Sequence, residues 1–157
     1  MHPKYSLAEI ERRWLVEPSQ AKELLNAAAR EIEDKYVVGG RLRLQKVTAP
    51  STVPVFKLGK KYPRIGAEPE SVVSIYLSEG EYETLIALPG SVARKIRYSV
   101  AGGSLDVYDY PNPGLVVFEV EFESESASAQ YTPPSFVGQE VTRNAKFSGY
   151  AIANTAL

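Results

Sequence analysis

Several short segments of this chain alternate apolar and charged residues with a period of two, and the charges within a segment often share one sign. Arg41 and Arg43 alternate with Leu42 and Leu44, Lys95 and Arg97 with Ile96 and Tyr98, and Glu119, Glu121 and Glu123 with Val120 and Phe122. An extended strand sends successive side chains to opposite faces, so each set becomes a charged row on one side of a sheet, backed by an apolar row on the other. The segment 7–16 places Glu9, Glu11 and Arg13 together in the same way. Antiparallel sheets often turn one face to water, and that explains any one such strand. It does not explain the sorting of signs by strand. Like charges at i and i+2 repel, so single-sign rows call for an opposite row or a ligand as partner.

A closed barrel with its charged face inward meets both demands. Basic strands then surround an anion by charge-assisted hydrogen bonds, and acidic strands offer hard oxygen ligands to a divalent cation. This is the chemistry of a metal–polyphosphate site.

The alternation predicts strands at 7–16, 41–47, 53–58, 71–77, 93–100, 104–110 and 115–123. Gly102-Gly103 and Pro111–Gly114 supply the last two hairpin turns. Pro54 marks an edge or an end of its strand. The Gly- and Pro-rich stretch 59–70 reads as an exposed loop, with Glu68 and Glu70 out of register with the strand that follows. Between the first two strands, 19–36 predicts a long helix. Ser19 is its N-cap, Ala21, Leu24, Leu25, Ala28 and Ile32 form its apolar stripe, and Gly39-Gly40 stops it. Shorter helices are expected at 79–88, opened by a Ser78/Glu81 capping box, at 125–130 and at 144–154. No internal repeat or linker divides the chain, so residues 1–157 are expected to form one α+β domain.

Composition narrows the function classes. Eighteen basic and nineteen acidic side chains balance to a net charge of −1, which argues against a nucleic-acid-binding or polybasic membrane surface. Without cysteine there is neither a disulfide nor a thiolate metal site, and one histidine, His2, supports neither a zinc site nor a His-dependent triad. No apolar run approaches the ~18 residues of a membrane helix, and Met1–Tyr5 lacks the apolar region of a signal peptide. A cytoplasmic location is the expectation. Tyr5, Trp14, Tyr76, Tyr98, Tyr108 and Phe122 are read as core or barrel-outer aromatics packing under helices, and Asp106 is read equally as a partner of the basic rows or a solvent-facing residue.

Glu9-Ile10-Glu11-Arg12-Arg13 resembles the ExExK signature that opens the CYTH, or triphosphate tunnel, superfamily. The similarity continues in order through Arg41-Leu42-Arg43, Phe56-Lys57-Leu58, Lys95-Ile96-Arg97-Tyr98, Leu105-Asp106-Val107-Tyr108, Glu119-Val120-Glu121-Phe122 and Gly138–Thr142, and covers nearly the whole chain. The resemblance implies a closed eight-stranded antiparallel β-barrel with flanking helices, forming an open-ended tunnel. It implies a hydrolase of inorganic or organic triphosphate dependent on Mg²⁺ or Mn²⁺. The alternatives are a non-catalytic triphosphate or polyphosphate binder and an adenylate cyclase of class IV.

Carried over by motif, Glu9, Glu11 and Glu121 become metal ligands, and Glu119 a ligand or a support behind them. Arg41, Arg43, Lys57, Lys95 and Arg97 become phosphate ligands, and Glu9, Glu11 and Arg13 form the catalytic group. The implied partner is a triphosphate-bearing small molecule, with neither nucleic acid nor membrane, and the assembly a monomer or homodimer. Two departures stand out. The signature's lysine is Arg13, which cannot shed a proton near neutral pH. The central strand, Ser71-Val72-Val73-Ser74-Ile75, carries none of the carboxylates usual there.

Overall fold

The computed structural model describes residues 2–155. Its strands are β1 (Leu7–Glu9), β2 (Glu11–Leu15), β3 (Ala29–Val37), β4 (Leu42–Thr48), β5 (Val55–Lys61), β6 (Glu70–Leu77), β7 (Gly90–Val100), β8 (Gly103–Tyr110) and β9 (Val116–Glu121). The helices are α1 (Pro18–Lys22), α2 (Glu79–Ile86), α3 (Glu125–Gln130) and α4 (Gly149–Asn154), the last preceded by a single 3-10 turn at Ala145–Phe147. All the strands belong to one antiparallel sheet, in the order β1-β6-β5-β4-β3-β7-β8-β9-β2.

The two ends of that order are the two halves of one broken strand. The ladder is interrupted at Ile10, so that β1 pairs with β6 while β2 pairs with β9. The chain thus ties the sheet's edges together and forms a nearly closed barrel. Nine strand segments take the place of the expected eight because the first strand is split.

The largest departure from the sequence reading lies between residues 19 and 36. The helix stops at Lys22, and residues 29–37 form β3, paired with β4 on one side and β7 on the other. Local helix propensity is overridden here because a strand between two ladders satisfies its backbone groups on both edges. The expected loop 59–70 is also shorter. β5 continues past Gly59 to Lys61, and β6 begins at Glu70. The capping box of α2 is present, with Ser78 Oγ accepting from the Glu81 N–H and Glu81 accepting from the Ser78 N–H.

Register assigns the faces. Arg13 stands opposite Glu119, Asp106 opposite Arg97, Arg97 opposite Arg30, Asp34 opposite Gln45, and Gln45 opposite Lys57. These rows line the inner wall, so the interior is charged. The apolar packing lies largely outside it. Leu44 and Phe56 pack with Tyr82 under α2, while Trp14, Leu105, Phe118 and Val120 pack beneath Tyr131 and Phe136.

One end of the barrel is covered. Ile152 and Ala153 of α4 pack on Ala93, Tyr108 and Val117, whose registers place them on the inner wall. Tyr150 meets Tyr36 edge-on at 6.1 Å. The expected open-ended tunnel is therefore closed at this end by the C-terminal helix. Among the described residues, no helix is long and apolar enough to cross a membrane.

Candidate functional site

The first strand delivers its acids to the inner wall through the alternation of β1 and β2. Glu9 stands opposite Glu70, and Glu11 opposite Glu121. Lys61, from the inward face of β5, reaches into this group. Its Nζ lies 2.6 Å from Glu9 Oε2, 3.6 Å from Glu70 Oε2 and 4.0 Å from Glu11 Oε1. Burial, followed by the neighbouring carboxylates Glu119 and Glu9, pushes the Glu11 carboxyl up to about 8. Burial by itself would ease Lys61 toward neutrality, but Glu9 and Glu11 more than offset it and hold its ammonium above the ordinary lysine range.

The next pole centres on Asp106, which is fully buried. The Arg97 guanidinium donates to both of its oxygens at 2.7 and 2.8 Å, and Lys95 Nζ lies 2.7 Å from Oδ2. Burial opposes the charge on Asp106, but Lys95 and Arg97 overcome it and hold the carboxyl below the usual carboxylate range. The same pair keeps both cations charged. The sequence left Asp106 undecided between two roles, and the structure places it among the basic rows.

Arg13 is buried, with Nε 3.3 Å from Glu119 Oε2, and it donates to the Phe147 carbonyl of the 3-10 turn. Arg43 faces Asp34, with Nε 3.7 Å from Oδ1. Lys57 forms no ion pair among the described residues, and its Nζ lies 5.3 Å from the ring centre of the exposed Tyr76. Arg41 precedes β4, is exposed, and only grazes the Lys61 carbonyl at 3.5 Å. Glu121 shares the face of Glu11 and Glu119 but is exposed.

The barrel therefore gathers Glu9, Glu11, Arg13, Arg43, Lys57, Lys95, Arg97 and Glu119 on one inner wall, with Glu121 at its rim and Arg41 outside the ladder. Asp34, Lys61 and Glu70 escaped the sequence reading. Asp34 was hidden in the supposed helix. Lys61 continues the period-two series Lys57, Gly59, Lys61, a signal that Gly59 masked by looking like a strand end. Glu70 lies in register opposite Glu9, which corrects the expectation that it falls outside the strand. Tyr5 and Tyr76 are exposed, which corrects the expectation that they pack under helices, whereas Tyr108 is buried on the inner wall beneath α4, with its Oη 3.5 Å from Lys95 Nζ.

The acidic pole suits a divalent cation in kind. Glu9, Glu11 and Glu70 are hard oxygen donors that already surround a positive charge, the Lys61 ammonium. With Lys61 among them, however, no three carboxylates of the described residues stand as a ready ligand set.

No family model and no curated protein matches this sequence. Among solved structures, the chain resembles the inorganic triphosphatase NE1496 with a TM-score of 0.55 and 23% identity, over 99% of this chain and 98% of that one. A second crystal structure of NE1496 gives a TM-score of 0.56 and 23% identity, over 95% and 99% of the two chains. PH1012 from Pyrococcus horikoshii OT3 gives 0.51 and 16%, over 77% and 83%. The barrel closed by a split first strand, the charged inner wall and these likenesses agree: the chain has the fold of the CYTH, or triphosphate tunnel, proteins.

Proposed function

We propose that the barrel binds a triphosphate-bearing anion together with Mg²⁺ or Mn²⁺ and hydrolyses its terminal phosphoanhydride. The observation that carries this reading is the juxtaposition, on one inner wall, of an acidic pole (Glu9, Glu11, Glu70, Glu119) and basic side chains (Arg13, Arg43, Lys57, Lys95, Arg97). The fold shared with the inorganic triphosphatase NE1496 supports it.

In the reaction, water attacks the terminal phosphorus, the bond from phosphorus to the bridging oxygen breaks, and orthophosphate leaves the shortened anion. Such a displacement is catalysed by positioning and by charge stabilisation. A divalent cation held by Glu9 and Glu11, with Glu119 or Glu121 beside them, would neutralise charge on the phosphoryl oxygens. Lys57 and Arg43 face the anion from β5 and β4. Lys95 and Arg97, fixed in place by Asp106, present their remaining N–H groups from β7. Arg13 orients Glu119 and stays charged throughout.

The test is phosphate release from tripolyphosphate, ATP and thiamine triphosphate with Mg²⁺ or Mn²⁺. Turnover is expected with at least one of them, and Glu9→Ala should reduce it by about 100-fold or more, on the scale of losing an electrostatic catalytic group, with the fold retained by circular dichroism. Undiminished turnover in that variant overturns the metal assignment. A second reading, a triphosphate binder without turnover, is favoured by one feature: Arg13 stands at the signature's lysine position, buried against Glu119 and the Phe147 carbonyl, and cannot give up a proton. Calorimetric binding of tripolyphosphate without phosphate release selects it.

A further inference from the structure

Lys61 occupies the place that a metal ion would take. Its ammonium is the positive centre of Glu9, Glu11 and Glu70, all within 4.0 Å, with the shortest contact, 2.6 Å, to Glu9 Oε2. A lysine ammonium is a compact point charge on a flexible stem, so it can fill such a pole and can also leave it. Two residues earlier on the same face stands Gly59, opposite Arg43 in the ladder, where a Cβ would come no nearer than 3.7 Å to any neighbour. The missing side chain leaves a notch between Lys61 and Lys57, beside the Arg43 guanidinium.

We propose that Lys61 is an exchangeable internal cation: it neutralises the acidic pole of the ligand-free barrel, and on entry of a divalent cation it folds across Gly59 to join Arg43 and Lys57 on the phosphate chain. The proposal rests on the metal-and-triphosphate reading above and adds a coupling to it. One charge is passed from the metal's ligands to the substrate, so the empty barrel needs no metal to offset its carboxylates, and metal and anion bind best together.

The experiment is calorimetry on the wild type, Lys61→Met and Lys61→Arg, with two titrants: Mn²⁺ alone, and tripolyphosphate in saturating Mn²⁺. The changes expected for Lys61→Met have opposite signs. Mn²⁺ alone binds about tenfold tighter or more, the scale of removing one partly buried like charge from beside the ion, and tripolyphosphate binds about tenfold weaker, the loss of one charge-assisted contact. Lys61→Arg keeps the weak Mn²⁺ binding of the wild type. Because three unpaired carboxylates can weaken the fold, the rise in Tm produced by Mn²⁺ is a second readout, and it should be larger in Lys61→Met than in the wild type.

If both affinities shift in the same direction in Lys61→Met, or if Mn²⁺ affinity and Tm response stay at the wild-type level, the exchange is refuted. The functional reading fails separately. Wild-type protein that neither binds nor cleaves tripolyphosphate refutes that reading, while the Mn²⁺ titration still reports whether Lys61 blocks the pole.

Discussion

Glu11 carries the clearest pH signature in the molecule. Its carboxyl is pushed from the ordinary 4.5 to about 8 by burial and by Glu119 and Glu9, while Lys61 and Arg13 pull less strongly the other way. With the folded pKa above the unfolded one, the metal-free native state binds the extra proton between about pH 4.5 and 8. Stability is therefore lost as pH rises through that window, with the full cost present above about pH 8 and none below about pH 4.5. Glu11→Gln removes the titration. Chemical denaturation should show the wild type losing on the order of 2–4 kcal/mol between pH 5 and 8.5, and the variant losing much less. Parallel pH profiles for the two proteins would mean that Glu11 is not enclosed by its acidic neighbours. Asp106 behaves in the opposite sense, since Lys95 and Arg97 keep it ionised and it supplies their charge balance wherever the protein is folded.

At the scale of the element, the barrel depends on β3, the strand that the sequence disguised. Residues 29–37 show no apolar–polar alternation because both faces are polar: Arg30, Asp34 and Tyr36 share the inner wall with Ile32, while Glu31, Glu33 and Lys35 face outward. A charged interior erases the hydrophobic signal that marks a strand, and Ala, Glu and Lys then read as helix formers. β4, β7, β8 and β9 were legible because apolar residues recur along each outer face, such as Leu42 and Leu44, or Phe118 and Val120. The same rule explains the site. Residues in single-sign rows were found, whereas Asp34, Lys61 and Glu70, whose strands or strand ends carry weak patterns, were not.

Pairing of β3 with β7 is tight at its end. A Cβ on Gly90 would lie 2.3 Å from the Tyr36 carbonyl oxygen, a backbone atom that cannot step aside, while one on Gly40 would meet nothing within 4 Å. Gly90→Ala should therefore cost about 2–3 kcal/mol in urea denaturation, as overpacking does elsewhere, and Gly40→Ala less than about 1. Equal effects would show that the β3–β7 edge yields easily.

The whole molecule inverts the usual arrangement of a small domain. Its apolar packing lies mostly between the barrel wall and the covering helices and loops, and its ion pairs lie within. Those pairs are mutual in the empty barrel: Lys61 with the acidic pole, Arg13 with Glu119, Lys95 and Arg97 with Asp106, and Arg43 with Asp34. Among the described residues, Lys57 is the one inner-wall basic residue of β5 and β7 without a carboxylate partner, and it lies near the exposed Tyr76. On the proposed reading, with α4 over one end, a polyanion would enter from the other and meet a series of cations along the wall rather than a single point charge. Affinity should thus grow with the number of phosphates.

The most direct test of that geometry is calorimetry of orthophosphate, diphosphate and tripolyphosphate in the presence of Mg²⁺, on the wild type and on Lys57→Ala. The account predicts affinity rising about tenfold or more with each added phosphate, the scale of one further charge-assisted contact, and a loss in Lys57→Ala greatest for tripolyphosphate. Equal binding of one and three phosphates, or no binding of any, would contradict it.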